Sequence, residues 1–323
     1  MASTGVAAAP ARGGSMAVYA ALWFSQLAWG ASWVAARMVL HAGAPDRTTL
    51  SPTVLAALRF ALAALFFVPS LAWSLRAGRL SVIGLLRLAA LGQLTFTVYF
   101  WLQYTGVQLT DAGIAAILVV GLIPAATAAL AHALRDERLT RLSALALALG
   151  LAGVVIIQAP SLTAGGLGAA FSAGALCLVA DAAAFAVYST LSKRWMSTIS
   201  PMDMTGGTMV GGAVGLLLLS LVNPAVNRWS DVARLSERQW VAVLFLALVC
   251  SIGAYVTYNF ALSQIPAPRA ALYIYFEPVI TVALAAVLLG ERLSLAAIVG
   301  ALIIALSVVL FQIRSRTSAA PIE

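Results

Sequence analysis

The segment IPAATAALAHALRDERL, residues Ile123–Leu139, recurs in altered form 154 residues later as EPVITVALAAVLLGERL, residues Glu277–Leu293. Pro124 and Thr127 of the first copy align with a proline and a threonine of the second, and Glu-Arg-Leu closes both copies. Matches of Leu and Ala arise easily by chance in an apolar chain, whereas Pro, Thr and Glu-Arg in one register do not. The chain is therefore predicted to consist of two related halves that join near residue 160.

The composition is that of a polytopic membrane protein. Hydrophobic residues make up 62% of the chain and charged residues 9%, against about 45–50% and 25% in soluble domains. The apolar residues form runs near 20, long enough to cross roughly 30 Å of hydrocarbon as helices. An open sheet would leave backbone groups unpaired in lipid. Cys177 and Cys250 lie inside apolar runs, which argues against a disulfide framework.

Ten spans are predicted, five in each half. They cover residues 17–39, 52–74, 81–104, 109–132, 140–158, 167–190, 203–222, 238–262, 267–289 and 293–313. The predicted organisation is a disordered tail (1–16), a first repeat (17–160), a second repeat (161–313) and a second tail (314–323). This is an all-α integral membrane protein with ten transmembrane helices.

The distribution of basic residues predicts the orientation. With the amino terminus inside, twelve Lys and Arg residues fall on the inner side and six on the outer side. This bias favours two cytoplasmic termini in the cell inner membrane, and the net charge of +8 does not indicate nucleic acid. Because five is odd, the second half enters the membrane upside down. Inverted-topology repeats are typical of alternating-access transporters, with the site near the midplane.

These features resemble the EamA family of the drug/metabolite transporter superfamily. In each half a helix with a central proline is followed by a Glu-Arg-Leu turn and a last helix. The aromatic-rich third span is most similar to YddG-type amino-acid exporters. The resemblance implies ten helices around a central cavity through which small metabolites, often amino acids, move outward. The residues that carry it are Pro124, Glu137-Arg138-Leu139, Tyr99-Phe100-Trp101, Glu277-Pro278 and Gly290-Glu291-Arg292-Leu293.

Three ionisable residues lie within predicted spans, namely Arg59, Asp181 and Glu277. Such groups are costly in a bilayer and commonly mark transport pathways. Asp181 and Glu277 are central in their spans, which makes both candidates for substrate binding and proton coupling. Two structural alternatives stay open. Arg59 could snorkel to the outer surface, or it could pair with one of the acids and merely fix helix packing.

Aromatic and polar side chains share helical faces in five spans. Tyr273 stands four residues before Glu277, and this spacing predicts that both point the same way. A mostly apolar lining with few polar anchors is typical of a small-molecule cavity, although aromatic residues also pack or sit at membrane interfaces. Besides the three ionisable residues, the candidate cavity residues are Gln26, Trp29, Trp33, Tyr99, Trp101, Gln103, Tyr188, Tyr255, Tyr258, Asn259 and Tyr273.

No phosphate-binding glycine loop, zinc pattern or nucleophile motif is present in the sequence. We therefore expect no cofactor, no metal and no enzymatic activity, and transport that does not consume ATP. A small-metabolite exporter is the first hypothesis, and a multidrug or nucleotide-sugar carrier of the same fold is the second. An intramembrane enzyme or receptor is a third, but it lacks a visible catalytic cluster or signalling domain. The predicted partners are a small-molecule substrate and the lipid bilayer, with the chain either a monomer or a homodimer.

Two smaller features also carry predictions. Gly207, Gly211 and Gly215 recur every four residues in the seventh span, a spacing that lets two helices approach closely. Glu137 and Glu291 are assigned to structure, as caps and ion-pair partners at the turns before the last helix of each half. The connection after the seventh span is expected to be either a solvated loop or a surface helix capped near residue 230.

Overall fold

A computed structural model of the chain describes residues 15–40, 49–109, 117–136, 139–165, 173–289 and 294–317. These described ranges hold helices and turns and no strand. Ten helices α1 to α10 follow in chain order. They are α1 (Met16–Leu40), α2 (Pro52–Arg76), α3 (Val82–Gly92, Gln93–Val98 and Tyr99–Gln108), α4 (Ile117–Gly121 and Leu122–Ala133), α5 (Arg141–Gly165), α6 (Ala173–Trp195), α7 (Pro201–Leu221), α8 (Glu237–Phe245, Leu246–Gly253 and Ala254–Gln264), α9 (Ala267–Leu272, Tyr273–Tyr275 and Phe276–Leu289) and α10 (Leu295–Thr317).

The predicted fold class is confirmed. Each of the ten predicted spans coincides with one of these helices, and six of the described helices are long and apolar enough to cross a membrane. Glu137 and Glu291, which are predicted to act as caps and ion-pair partners, lie outside the described residues. The chain is an all-α membrane protein built from two inverted five-helix repeats.

Helix packing follows the repeat. Exchanging the halves converts α1 into α6, α3 into α8 and α4 into α9. In agreement, α1 packs against α8 and α9, while α6 packs against the equivalent α3 and α4. The pairs α2–α7 and α5–α10 each join two equivalent helices. The two halves are therefore interleaved, and the centre of the molecule is shared between them.

The starts of α2 and α7 show the repeat at the level of single residues. Ser51 and Ser200 precede a proline at the first helical turn, and both have φ −66° and ψ 148°. Each hydroxyl accepts the backbone N–H three residues on, from Val54 at 3.2 Å and from Asp203 at 3.1 Å. Serine caps this donor well, and proline has no N–H that would need a cap.

Departures from regular helix are repeated as well. The π-helical turn Gln93–Val98 in α3 and the turn Leu246–Gly253 in α8 overlap in the 154-residue register. In α4 the π-turn Ile117–Gly121 stands where α9 has the 3-10 turn Tyr273–Tyr275, each just before an aligned proline. Such turns rotate the side chains that follow them and are frequent at functional sites. The predicted span 267–289 is thus helical throughout, with a 3-10 turn at Tyr273–Tyr275.

The glycine stripe of α7 is a close helix contact, as its spacing predicted. A Cβ atom added to Gly211 would collide with the backbone of Ala89 on α3. Gln93 Nε2 donates to the Gly211 carbonyl at 2.6 Å, and Thr97 Oγ1 donates to the Gly212 carbonyl at 3.1 Å. The glycines thus expose α7 carbonyls that α3 side chains can reach.

Gly211→Leu is expected to destabilise the protein strongly, because the added side chain has to force α3 and α7 apart. Overpacking of a well-packed contact costs typically about 1–3 kcal/mol. Val214→Leu on the exposed face of the same helix is the matched control, since Val214 is half exposed. Thermal unfolding of both purified variants checks this, and equal melting temperatures would contradict the close contact.

The connection between α7 and α8 differs from the expected surface helix capped near residue 230. The chain forms a 3-10 turn, Trp229–Arg234, whose cap position is Arg228 and not residue 230 or 231. Asp231 instead pairs with Arg228 at 3.1 Å and Arg234 at 3.7 Å. The capping box belongs to α8, where Ser236 accepts from the backbone N–H of Gln239.

Candidate functional site

Arg59 is buried in the protein and does not snorkel. Its side chain on α2 is 6% exposed, and its Nε donates to Ser251 Oγ at 3.1 Å. The guanidinium carbon lies 4.7 Å from the ring centre of Phe60 and 5.7 Å from that of Phe100. Ser251 in turn donates to the Leu246 carbonyl five residues back, a contact made within the π-turn of α8. The π-turn therefore positions the hydroxyl that holds the arginine.

Ser251→Ala is expected to lower transport roughly tenfold, because a hydrogen bond to a charged group contributes about 1.5–3 kcal/mol. Thr257→Ala is the control, since Thr257 Oγ1 bonds only to carbonyls of its own helix in the described structure. Initial uptake rates at equal protein density in vesicles give the comparison. A Ser251→Ala rate equal to that of Thr257→Ala would show that the arginine needs no such anchor.

Asp181 is fully buried on α6, and neither carboxyl oxygen has a hydrogen-bond partner among the described residues. The ion pairs formed within the described ranges join Arg194 to Asp136 and Asp231 to two arginines. Arg59, Asp181 and Glu277 take part in none of them. The alternative in which an Arg59–acid pair merely fixes helix packing is therefore wrong. A buried carboxyl without a partner costs stability, which favours a role beyond packing.

Glu277 lies in the first turn of the segment Phe276–Leu289, beside α1. The Trp33 side chain is within hydrogen-bonding range of its carboxylate. Thr281 Oγ1 donates to the carbonyls of Glu277 and Gly30, at 2.8 and 2.9 Å, and thereby ties α9 to α1. Tyr273 begins the 3-10 turn Tyr273–Tyr275, which precedes the helical segment that carries Glu277. That the two side chains share one face stays a prediction. The Tyr273 ring packs against Tyr19 and Trp23.

An aromatic cluster occupies the centre between α1, α3, α6 and α8. Trp29 packs against Tyr255 at 5.0 Å, Tyr258 at 5.2 Å and Phe185 at 6.0 Å between ring centres. Its indole N–H donates to the carbonyl of Cys250 at 3.2 Å. We call this set the central cluster, and its members are Trp29, Phe96, Tyr99, Phe185, Tyr188, Tyr255 and Tyr258.

Hydrogen bonds hold the tyrosines of the central cluster in place. Gln103 donates to the Tyr99 hydroxyl at 3.0 Å. Asn259 donates to the Tyr188 hydroxyl at 2.7 Å and to Thr205 Oγ1 at 2.9 Å, which links α6, α7 and α8. These contacts fix the orientations of the rings. Ser189 and Tyr258 share a further bond of 3.1 Å.

The charged residues surround this cluster. Asp181 and Glu277 both lie near Tyr99 and Tyr255, and Arg59 lies near Tyr255 as well. One guanidinium and two carboxyl groups thus lie near the same tyrosine, and within the described residues they form no ion pair with one another. Ring faces and tyrosine hydroxyls can bind the apolar and polar parts of a small solute, and an ammonium can rest against them.

Two other predicted residues stand apart from the cluster. Trp101 is 51% exposed and joins none of the ring contacts in the described structure. It is two residues from both Tyr99 and Gln103, so it points roughly 200° away on the helix. Trp33 is 39% exposed at the edge of the site, beside Glu277. Gln26 is fully buried one turn before Trp29 and donates to Ser25 Oγ at 3.1 Å.

Sequence reasoning missed Phe96, Phe185 and Ser251. Phe185 is four residues after Asp181, and this spacing could have identified it, but a phenylalanine in an apolar helix is ordinarily core. Ser251 acquires its role only from the π-turn. Within the described ranges, no three His, Cys, Asp or Glu side chains come close enough to hold a metal ion.

Comparison with known proteins gives a family for both halves. The sequence model of the EamA-like transporter family matches residues 16–159 and 172–313. "Uncharacterized transporter YyaM" of Bacillus subtilis is 25% identical over 80% of this chain and 83% of its own. An "Uncharacterized transporter" of Archaeoglobus fulgidus is 26% identical over 80% of this chain and 88% of its own. A crystal structure of 21% identity superposes with a TM-score of 0.73 over 95% of this chain and 100% of that chain, which shows a common fold.

Proposed function

Because the chain belongs to the EamA-like transporter family, we propose that it is a secondary transporter that exports amino acids and related small metabolites across the inner membrane. The substrate occupies the central cluster, and the repeats 17–160 and 161–313 alternate in exposing it to either side. Both termini are cytoplasmic in this proposal. The inverted repeat supports it, because two halves of opposite orientation can exchange conformations around a shared site.

The observation that carries the proposal is that one guanidinium and two carboxyl groups lie around a single aromatic cluster without pairing with one another in the described structure. Amino acids are zwitterions with an ammonium and a carboxylate close together. Asp181 is a suitable partner for the ammonium, and Arg59 for the carboxylate. Trp29 and Tyr255 offer ring faces to the side chain. A site that leaves these charges unpaired supports a ligand that carries both complements.

Proton coupling is a further part of the proposal. Asp181 and Glu277 are carboxyls in the middle of membrane helices, and such groups commonly serve as proton relays in transporters. A proton taken up from outside would weaken the hold of a carboxylate on the ammonium and favour release of the substrate. Inward proton movement would then drive outward substrate movement.

Counterflow in proteoliposomes tests the function. Vesicles are loaded with a mixture of unlabelled amino acids, and the entry of one labelled amino acid at a time is followed with and without a pH gradient. The proposal expects transient accumulation of several neutral or aromatic amino acids. Entry no faster than into protein-free vesicles, with monodisperse protein, would overturn the amino-acid assignment. A screen of organic cations and nucleotide sugars would then test the alternative carrier class.

A further inference from the structure

A second polar cleft lies where α2 ends and α7 begins. It has a volume of about 500 Å³, within the range of about 300–1,000 Å³ usual for small-molecule sites. Ser74 in its wall is fifteen residues after Arg59 on α2, which corresponds to about 22 Å of helix. The cleft is therefore separate from the central cluster. Its polar wall comprises Ser74, Trp73, Arg79, Thr198, Ser200 and Asp203.

Two opposite charges line this cleft without neutralising each other. Asp203 is 5% exposed, and its Oδ2 accepts from Ser200 Oγ at 2.8 Å. Its Oδ1 is buried and has no hydrogen-bond partner among the described residues. The Arg79 guanidinium stacks on the Trp73 ring at 4.1 Å, and within the described structure it forms no ion pair. One anion and one cation are thus available in a single cleft.

The repeat shows that the fold does not require an acid at position 203. At the spacing that relates Ser51 to Ser200, Asp203 corresponds to Val54, which is fully buried. Both serines cap the backbone N–H of that residue with the same backbone angles. The cap therefore forms equally well over a valine. A carboxylate in place of a buried apolar side chain costs stability unless it is used.

Where α2 begins and α7 ends, the equivalent polar groups are paired within the protein. Arg228, the counterpart of Arg79 at the same spacing, pairs with Asp231 at 3.1 Å. Ser51 Oγ donates to Asn227 Oδ1 at 2.8 Å and so bridges the start of α2 to the chain after α7. At the cleft, by contrast, Arg79 forms no ion pair and Asp203 Oδ1 no hydrogen bond within the described residues.

We propose that this cleft is a second binding site, for a small zwitterion of the α-amino-acid type. The ammonium is bound by the Asp203 carboxylate and the Ser74 hydroxyl, and the carboxylate of the ligand accepts from Arg79. Trp73 gives an aromatic wall beside the bound group. The ethanolamine headgroup of a phospholipid has the same ammonium-and-anion chemistry, so the experiment separates the two sources. This site can be tested by ligand binding alone, and it does not depend on transport through the central cluster.

Protection of an engineered cysteine reports on this cleft specifically. Thr198→Cys places a thiol in its wall, and Thr49→Cys at the repeat-equivalent, exposed position is the matched control. Both are made with Cys177 and Cys250 replaced by alanine. The rate of modification by a methanethiosulfonate reagent is measured with leucine, isoamylamine or isovalerate. Since protection follows occupancy, leucine at ten times its dissociation constant is expected to slow Thr198→Cys about tenfold, and not Thr49→Cys.

Substitutions in the cleft give the second arm. Asp203→Asn and Arg79→Gln are each expected to abolish protection by leucine, while Asp181→Asn in the central cluster leaves it intact. Asn keeps an oxygen for the Ser200 hydroxyl, and Arg79 is exposed, so both variants should remain folded and monodisperse. If the transport proposal is wrong, counterflow of amino acids will be absent. If this proposal is wrong, leucine will fail to protect the Thr198→Cys thiol, whatever the counterflow result.

The lipid source forms the third arm. Modification of Thr198→Cys is compared in nanodiscs of phosphatidylglycerol and in nanodiscs that also contain phosphatidylethanolamine, without added solute. The proposal expects equal rates. Slower modification with phosphatidylethanolamine and no effect of leucine would assign the cleft to a headgroup and overturn the soluble ligand. Protection by none of the probes, or leucine protection that survives both charge substitutions, would overturn the site.

Discussion

Asp181→Asn is expected to abolish amino-acid transport and at the same time raise the melting temperature. The carboxyl is buried and has no hydrogen-bond partner in the described part of the chain. Replacing the carboxyl by a neutral amide therefore removes the cost of ionising an acid at this buried position in the substrate-free protein. The same change deprives the substrate ammonium of its partner. Truncating one side of a buried charge pair costs about 2–5 kcal/mol, roughly a 30-fold or larger loss.

The opposite signs of the two effects separate a functional acid from a structural one. A packing residue would lower stability and activity together. Asp136→Asn is the control, because Asp136 pairs with Arg194 at 2.8 Å on the surface, and such pairs contribute about 0–1 kcal/mol. Counterflow and thermal unfolding are measured on the same preparations. A destabilised Asp181→Asn protein with normal transport would contradict the assignment.

Glu277→Gln is expected to leave exchange intact and remove its dependence on pH. In vesicles with an acidic lumen, protons leaving through the wild-type protein should drive substrate entry, since the two move in opposite directions. Glutamine keeps the shape and the Trp33 contact but cannot carry the proton. Labelled amino-acid uptake should then be the same with and without the gradient, while counterflow persists.

The control for this substitution is Glu237→Gln, which removes an exposed acid in the first turn of α8. It should retain the full response to the gradient. If Asp181→Asn and Glu277→Gln both retained transport that depends on pH, proton coupling through these acids would be excluded. Facilitated exchange would then describe the transport.

The asymmetry of the charges supports a functional role for them. The two halves share caps, π-turns and helix contacts, but Arg59 and Glu277, which lie within the spans, do not repeat. Glu277 corresponds to Ile123 in the 154-residue register, and Arg59 to Thr208 at the spacing of the Ser51 and Ser200 caps. Groups needed for the fold would be expected in both halves. The protein thus has a symmetric fold around an asymmetric site.

The sequence predicted the fold well, because the signals that define it are long and redundant. Each span is a run of apolar residues, and the aligned prolines, caps and Glu-Arg-Leu turns all support one repeat. The edges of α9, residues 267–289, were predicted correctly. No comparable redundancy exists within a span, where one unusual turn changes which residues face the centre.

The site was predicted less completely for this reason. Helical spacing singled out Trp29, Tyr255 and Asn259, and in the structure all three contact members of the central cluster. Spacing alone could not predict the 3-10 turn Tyr273–Tyr275 that precedes Glu277. The contact between Arg59 and Ser251 could not be predicted, because it joins the two halves and depends on a π-turn that leaves no clear signal in the sequence.

Access to one residue from both sides of the membrane tests the central claim most directly. Gln103→Cys, in a protein without Cys177 and Cys250, places a thiol beside Tyr99 in the central cluster. A membrane-impermeant methanethiosulfonate reagent is applied to either face of oriented proteoliposomes. The account predicts modification from both faces and protection by a transported amino acid from both. Modification from one face only, under every substrate and pH condition, would contradict an alternating-access site at this position.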